Sequence, residues 1–347
     1  MNYVHIELLS ELIDRYKEKA EALTAPDADF SDVCYFGILN EENISYDKNQ
    51  TERLRILTGI QFIENIAPFE DLIRFLLTEE IEARERDSFQ GFGIALKLAV
   101  WLIKKFYREK DEELFAKAKN ANFDTYCGFN AKDIGESFFK KDIAQFDMDE
   151  SIILTLYLRE YILCGKLIEL WKGEQTEWNV KNLNRLISYE RGRKNSEGEL
   201  SALNMLFELE SDNMSDWDYC SLSNDIASKQ IELHQIQSAF ETARRMMPKL
   251  AKVDNWQSYG LGRSIMEMCM DIVILCDKFS ATQIWNFTKP HLSKMKEMPW
   301  NLYEKAAKAA DIMSEPRLSK SLRRRLEKEK QKLRAFRLSK FRRGRKG

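Results

Sequence analysis

Glycine and proline are scarce in this sequence, with 14 and 6 copies among 347 residues. Because these residues mark most turns, their scarcity favours long helices over many short strands. The alternation of apolar and polar residues that marks a half-buried strand is nearly absent. The chain is 44% hydrophobic and 11% aromatic, which is typical of a globular protein. We therefore expect an all-α fold.

Signatures of catalysis are also missing. The chain contains neither H-E-x-x-H nor G-x-S-x-G, and its three histidines, His5, His234 and His291, are far apart. The segments "GFG" (91–93) and "GLGRSI" (260–265) lack the third glycine of a dinucleotide-binding loop, and no clear strand precedes either. We interpret them as helix-start or tight-packing glycines. The sequence thus predicts no catalytic residue and no cofactor, and an enzyme site assembled from dispersed residues remains the alternative.

Metal-binding patterns are lacking as well. The six cysteines are widely scattered and include no C-x-x-C pair, so we expect reduced thiols buried in the core. The acidic segment 147–150 reads as a helix start and 208–218 as a solvated loop without the glycine of an EF-hand. We predict no metal site.

No segment resembles a signal peptide or a membrane span. The first twenty residues alternate charged and apolar side chains at helical spacing. The longest apolar stretch, "IALKLAVWLI" (94–103), has about half the length of a span and contains Lys97. The expectation is a cytoplasmic protein for which a membrane is an unlikely partner.

Apolar residues recur three and four positions apart along most of the chain, which predicts amphipathic helices. In a capping box, two residues three positions apart satisfy the first free N–H groups of a helix. Three such pairs predict where helices begin. These are Asp147 with Glu150, Ser196 with Glu199, and Ser280 with Gln283.

Weak internal similarity suggests stacked helix pairs. "ILCGKL" (162–167) and "ILCDKF" (274–279) lie 112 residues apart, and 101–115 aligns loosely with 157–171 at a shift of 56. These matches are explained either by a true repeat or by the chance alignment of amphipathic helices. We predict helix pairs in an α-solenoid-like, TPR-like architecture without the TPR consensus, with possible sub-boundaries near 120–146 and 188–199.

Charge divides the chain into an acidic body and a basic tail. The chain has 54 Lys+Arg and 56 Asp+Glu residues. Segment 317–347 holds fifteen of the basic residues and two of the acidic ones, so the net charge of the tail is +13 and that of the body 1–316 is −15. The overall charge of −2 hides this asymmetry. Charge asymmetry of this kind points to an anionic partner for the tail.

Within the tail, residues 318–340 are predicted to form a basic amphipathic helix, followed by a disordered end. Two i,i+4 pairs, Arg323–Glu327 and Arg325–Glu329, would support it. Four apolar side chains on one seam are expected to dock a partner: Leu322, Leu326, Leu333 and Phe336. The predicted nucleic-acid contacts are Arg323, Arg324, Arg325, Lys332, Arg334, Arg337, Arg342, Arg343, Arg345 and Lys346.

The leading hypothesis is a non-enzymatic interaction protein. Its helical body would bind another protein or peptide, and its tail would bind RNA or non-specific DNA. The tail could instead bind an acidic protein surface, including this body, or an anionic membrane, or serve only solubility. A further alternative is a regulatory protein autoinhibited by its tail.

Overall fold

The structure, a computed structural model, describes residues 4–40, 43–88, 91–134, 142–295 and 298–343, with the side chains of the last helix described as far as Lys332. The chain forms two compact units, Met1–Thr176 and Glu177–Gly347. The division between them falls at neither of the irregular segments noted in the sequence. Segment 188–199 lies inside one helix pair of the second unit, and the basic tail belongs to that unit.

Helices dominate the first unit, as expected. Its described α-helices are α1 (Val4–Ala22), α2 (Gln50–Gln61), α3 (Glu70–Arg86), α4 (Ile94–Ile103), α5 (Asp111–Asn120), α6 (Phe123–Gly128), α7 (Met148–Tyr157) and α8 (Tyr161–Gly173). Helix α1 packs on α2, α3 on α4, and α7 on α8. A short antiparallel hairpin of β1 (Gly37–Leu39) and β2 (Ser45–Asp47) joins α1 to α2, with Ile38 opposite Tyr46.

A buried charge cluster links this hairpin to α2 and α3. Arg53 of α2 donates through Nε to Glu80 of α3 at 2.7 Å and through Nη2 to Asp47 of β2. The carboxylate of Asp87, just beyond α3, accepts from the backbone N–H of Asp47 at 2.9 Å and from the Tyr35 hydroxyl at 3.0 Å. Buried charges require such paired partners, although the second oxygen of Glu80 accepts no hydrogen bond from the described residues, with Arg84 Nη2 3.8 Å away.

The second unit is a series of helix pairs. Its described α-helices are α9 (Val180–Gly192), α10 (Ser196–Glu210), α11 (Asp216–Glu232), α12 (Ile236–Leu250), α13 (Gly260–Leu275), α14 (Lys278–Leu292), α15 (Trp300–Ile312) and α16 (Pro316–Arg343). Each odd-numbered helix packs on the even-numbered helix that follows it. Successive pairs also touch, because α10 packs on α11, α11 on α13, and α13 on α15.

The same three-residue turn joins the helices of four pairs. Its middle residue is left-handed, with φ of 54° at Arg159, 61° at Lys194, 58° at His234 and 59° at Ser314. The next residue donates its N–H to the carbonyl five positions earlier, as Glu315 does to Ala310 at 2.8 Å. This is the Schellman arrangement that satisfies the last carbonyls of a helix, here built without glycine.

These turns give a period different from the shift of 56 residues seen in the sequence. Lys194 and His234 are 40 residues apart, and Ser314 follows at twice that distance, with the α13–α14 pair between. The matched segments are not equivalent, since 162–167 lies inside α8 whereas 274–279 spans the end of α13 and the start of α14. That pair of segments therefore gives no support for a repeat. The other pair, 101–115 and 157–171, runs in both cases from the end of one helix into the next, so a repeat at a shift of 56 stays a prediction.

One of the three predicted capping boxes forms. Asp147 accepts from the Glu150 N–H at 2.8 Å, and Glu150 accepts from the Asp147 N–H at 2.9 Å. The other two predictions are wrong: in the part of the chain that the structure describes, α10 has no side-chain cap, and a different residue caps α14. Asn195 precedes α10, and the Asp277 carboxylate caps α14 at the Ser280 N–H, 3.1 Å away.

Both glycine segments serve packing. Gly93 starts α4 with φ of 72°, a left-handed value, and a Cβ on Gly262 in α13 would collide with the carbonyl of Trp256. The core cysteines expected from the sequence are Cys164, Cys220 and Cys269, whereas Cys127 is exposed. Burial raises the pKa of Cys269 to about 12, which keeps that thiol protonated at neutral pH.

Within the residues that the structure describes, no helix combines the length and the apolar character needed to cross a membrane.

Candidate nucleic-acid interface

Helix α16 carries the basic tail, and its first turn is anchored to α14. The helix starts at Pro316, a first position where the missing N–H costs nothing. Glu315, just before it, accepts from Trp285 Nε1 at 2.9 Å and from Lys289 Nζ at 2.7 Å. These bonds fix the direction in which the basic helix leaves the turn.

The leucine face of α16 docks on its own unit. Leu322 is 2% exposed and Leu326 is 5% exposed, and both belong to the core cluster that contains Ala306 and Ala310 of α15. Small side chains on α15 let the two helices approach closely. Leu322 and Leu326 are therefore occupied within the chain rather than available to a partner, contrary to the docking role expected for them.

Several cations of α16 face α15 and are neutralised there. Arg323 pairs with Asp311 at 2.6 Å, and Lys330 pairs with Glu304 at 3.1 Å. The guanidinium of Arg325 lies 5.3 Å from the ring centroid of Tyr303, a cation–π distance.

Lys332 pairs within its own helix with Glu329 at 2.7 Å, so the expected i,i+4 pair of Arg325 with Glu329 is replaced. Arg323 likewise pairs with Asp311 of α15 rather than with Glu327 of its own helix. Ion pairs of this exposure hold side chains in place but stabilise the fold by at most about 1 kcal/mol each.

Four other cations lie on the opposite, solvent-facing side of α16. Arg317, Lys320, Arg324 and Lys328 are all exposed. They follow one another at i, i+3, i+7 and i+11, which places them on one face of a helix. At 1.5 Å per residue they extend over about 16 Å. We call these four residues the basic stripe.

The basic stripe lacks acidic partners. Within the described part of the chain, none of its four cations has a carboxylate oxygen within the 4.0 Å limit of an ion pair. The exposed Glu327, three residues after Arg324, lies on the same side of α16, but four cations against one acid still create a positive potential along the helix surface. Such a surface is suited to a polyanion whose charges are also spaced in a row.

Sequence reasoning identified only Arg324 of this stripe. Arg317, Lys320 and Lys328 contributed to the predicted charge of the tail without being assigned a contact, since each stands alone rather than in a run of consecutive arginines. A helical wheel centred on Leu318, Leu322 and Leu326 would have found them, since the stripe lies directly opposite those leucines.

The remaining predicted contacts lie beyond the described side chains. The backbone is helical through Arg343. The predicted side chains outside the description are Leu333, Arg334, Phe336, Arg337, Arg342, Arg343, Arg345 and Lys346. The assignment of these residues to phosphate contact or docking stays a prediction.

The histidines are not gathered into a common site. His234 is the exposed left-handed residue of the α11–α12 turn. His291 packs against Trp256, with ring centroids 4.8 Å apart, and against Phe287 at 5.8 Å. Across the described ranges, no group of three or more His, Cys, Asp or Glu side chains is arranged to hold a metal ion.

Comparison of the chain with protein families, with curated proteins and with solved structures finds no match.

Proposed function

We propose that this protein is a non-enzymatic interaction protein whose helix pairs bind another protein or peptide and whose α16 binds nucleic acid. The observation that carries the nucleic-acid part is the basic stripe, four aligned and exposed cations without acidic partners. The burial of Leu322 and Leu326 supports the same proposal, because it holds the stripe on a fixed helix rather than a flexible tail.

We further propose that the second unit is α-solenoid-like. Helix pairs in series, with contacts between α11 and α13 and between α13 and α15, are the arrangement that such proteins use. Stacked pairs create extended surfaces that bind peptides. A small cavity of about 160 Å³ between α10, α11 and α12, lined in part by Phe207, Tyr219 and Arg245, would accept one side chain of such a peptide.

The nucleic-acid proposal predicts a defined salt dependence. If the basic stripe neutralises about four phosphates, log K should fall with log[salt] at a slope of about −3 to −4. These contacts carry no sequence information, so RNA and DNA of mixed sequence should both bind.

The test replaces charges rather than removing the tail. Truncation at residue 316 would take Leu322 and Leu326 out of the core and would confuse binding with folding. We therefore compare R324E/K328E with a matched control, K181E/K294E, which makes the same charge change at exposed lysines of the same unit. Binding to a labelled RNA oligonucleotide and to its DNA counterpart is measured by fluorescence anisotropy over a salt series.

The stripe variant should bind at least tenfold more weakly at low salt and should lower the magnitude of the salt slope by about two. The control should bind nearly as tightly as the wild type. Equal loss in both variants would mean that only net charge matters, and undiminished binding by R324E/K328E would refute the role of the stripe.

An autoinhibitory role for the tail is the second candidate, favoured by the pairs Arg323–Asp311 and Lys330–Glu304. In that case α16 covers a surface of its own unit that a partner needs. D311K/E304K should then loosen α16 and increase capture of the partner peptide, whereas the nucleic-acid proposal predicts only increased binding of nucleic acid.

A further inference from the structure

The first unit contains a cavity that the proposed function does not use. It has a volume of about 660 Å³ and lies between the end of α4, helix α5 and the short 3₁₀ turn Ala131–Asp133. Small-molecule sites in proteins usually measure about 300–1,000 Å³. The cavity is thus large enough for a ligand of metabolite size.

Aromatic rings form its apolar floor and one edge. Phe115 is 7% exposed and Phe129 is 3% exposed, and both line the cavity, so each is packed in the core and adds a small apolar surface to the lining. The ring of Tyr107 lies nearly parallel to that of Phe115, with a centroid distance of 6.3 Å and an angle of 24°. Aromatic rings on the lining suit an aromatic ligand, because rings prefer offset-stacked or edge-to-face contacts.

Hydrogen bonds hold the walls in position. Lys104 Nζ donates to the carbonyl oxygens of Ala131 at 3.1 Å and Ile134 at 2.8 Å, which fixes the 3₁₀ turn against the end of α4. The Tyr107 hydroxyl donates to Glu112 at 2.9 Å, which fixes the aromatic edge. The cavity is therefore formed before any ligand arrives, which reduces the cost of binding.

Positive charge lies at the rim. Lys119 of α5 and Lys132 of the 3₁₀ turn both line the cavity and are exposed. Among the described residues, neither has a carboxylate oxygen within the 4.0 Å limit of an ion pair. The acid on the lining, Glu112, is engaged by Tyr107. The two lysines are thus available to an anionic group of a ligand.

We propose that this cavity binds a small aromatic anion, with its ring on the Phe115–Phe129 floor and its negative group at Lys119 and Lys132. In most small-molecule sites the apolar lining supplies the affinity and a few polar groups fix the orientation of the ligand, as the aromatic floor and the two lysines would do here. The site lies within the first unit and does not depend on the nucleic-acid role of α16.

A pair of probes separates the two parts of the proposal. Anilinonaphthalene sulfonate is an aromatic anion with a flat naphthalene ring, and phenylnaphthylamine has the same ring system without the sulfonate. Both report binding by fluorescence. The variants are K119E/K132E at the rim, A116W to fill the cavity, and K110E/K117E as the charge-matched control at exposed lysines of the same region that do not line the cavity.

We expect K119E/K132E to bind the sulfonate at least tenfold more weakly while binding the neutral probe as the wild type does. A116W should weaken both probes, and K110E/K117E should change neither. Sulfonate binding that resists both K119E/K132E and A116W would overturn the site. If A116W weakens both probes while K119E/K132E changes neither, the proposed anionic class is wrong. Circular dichroism checks that each variant is folded, and the surface variant K119E/K132E suffices should A116W not fold.

Discussion

Arg53 Nε of α2 lies 2.7 Å from Glu80 Oε1 of α3, and neither side chain is exposed to solvent. Asp47 of the β-hairpin accepts a second bond from the same guanidinium. Desolvation lowers the pKa of Arg53, but the two carboxylates outweigh it and the pKa is raised overall, so the guanidinium keeps its charge despite being buried. One arginine thus ties three elements of the first unit together.

Replacing this arginine should be costly. R53M would leave Asp47 and Glu80 buried without their shared cation, and breaking a buried pair typically costs about 3–5 kcal/mol. Hydrogen exchange of peptides from α2 and α3 should accelerate accordingly. The control R86A removes an exposed pair with Glu82, 2.8 Å apart, and should cost less than about 1 kcal/mol. Similar exchange in both variants would contradict the structural role of the cluster.

The docking of α16 can be tested through its leucine face. L326A removes a side chain that is 5% exposed, and such truncations destabilise by about 2–5 kcal/mol. Trypsin, which cleaves after lysine and arginine, should then cut α16 faster. The control L275A alters a side chain that is 52% exposed and should leave the cleavage rate unchanged. A tail cleaved equally fast in the wild type and in L326A would show that α16 is not held by its leucines.

Acid should weaken the second unit through His291. Burial, with a smaller contribution from the charge of Lys294, lowers the pKa of His291 below its ordinary value of 6.5. The unfolded chain therefore takes up the proton first, so stability is complete above about pH 6.5 and falls as pH drops toward the pKa of the folded state.

The variant H291F keeps a ring against Trp256 but cannot be protonated. Melting temperatures measured between about pH 7 and pH 5 should fall less steeply for H291F than for the wild type. Parallel curves for the two proteins would assign the acid sensitivity to other groups.

Local patterns in the sequence predicted the helical elements well. The all-α expectation is confirmed, and the Asp147–Glu150 cap could be found because both partners lie within one turn. The Ser280 cap failed for an equally local reason, since Asp277 caps the same helix. The Ser196 cap failed because α10 begins at Ser196 itself, whose hydroxyl donates to the distant Glu232.

Local sequence patterns did not predict which distant side chains contact each other. Nothing in the sequence indicates that Arg53 meets Glu80, 27 residues away, or that the first two leucines of the tail seam find α15 rather than another protein. For the same reason the expected contact Arg323 is neutralised by Asp311 while Lys328 faces solvent. A charge count reveals the basic tail, but only the docking of its leucines decides which cations remain available.

Two glycines at the start of α13 should respond in opposite ways to the same substitution. A Cβ at Gly262 would collide with the backbone carbonyl of Trp256, which cannot move without displacing the 3₁₀ turn Trp256–Ser258. G262A should therefore destabilise by about 1–3 kcal/mol. Gly260 has open space around its Cβ position, so G260A should be neutral or stabilise by up to about 1 kcal/mol, because alanine loses less conformational freedom on folding. Urea unfolding compared for the two variants measures the difference directly, and a G262A protein as stable as G260A would mean that the turn and α13 are not in close contact.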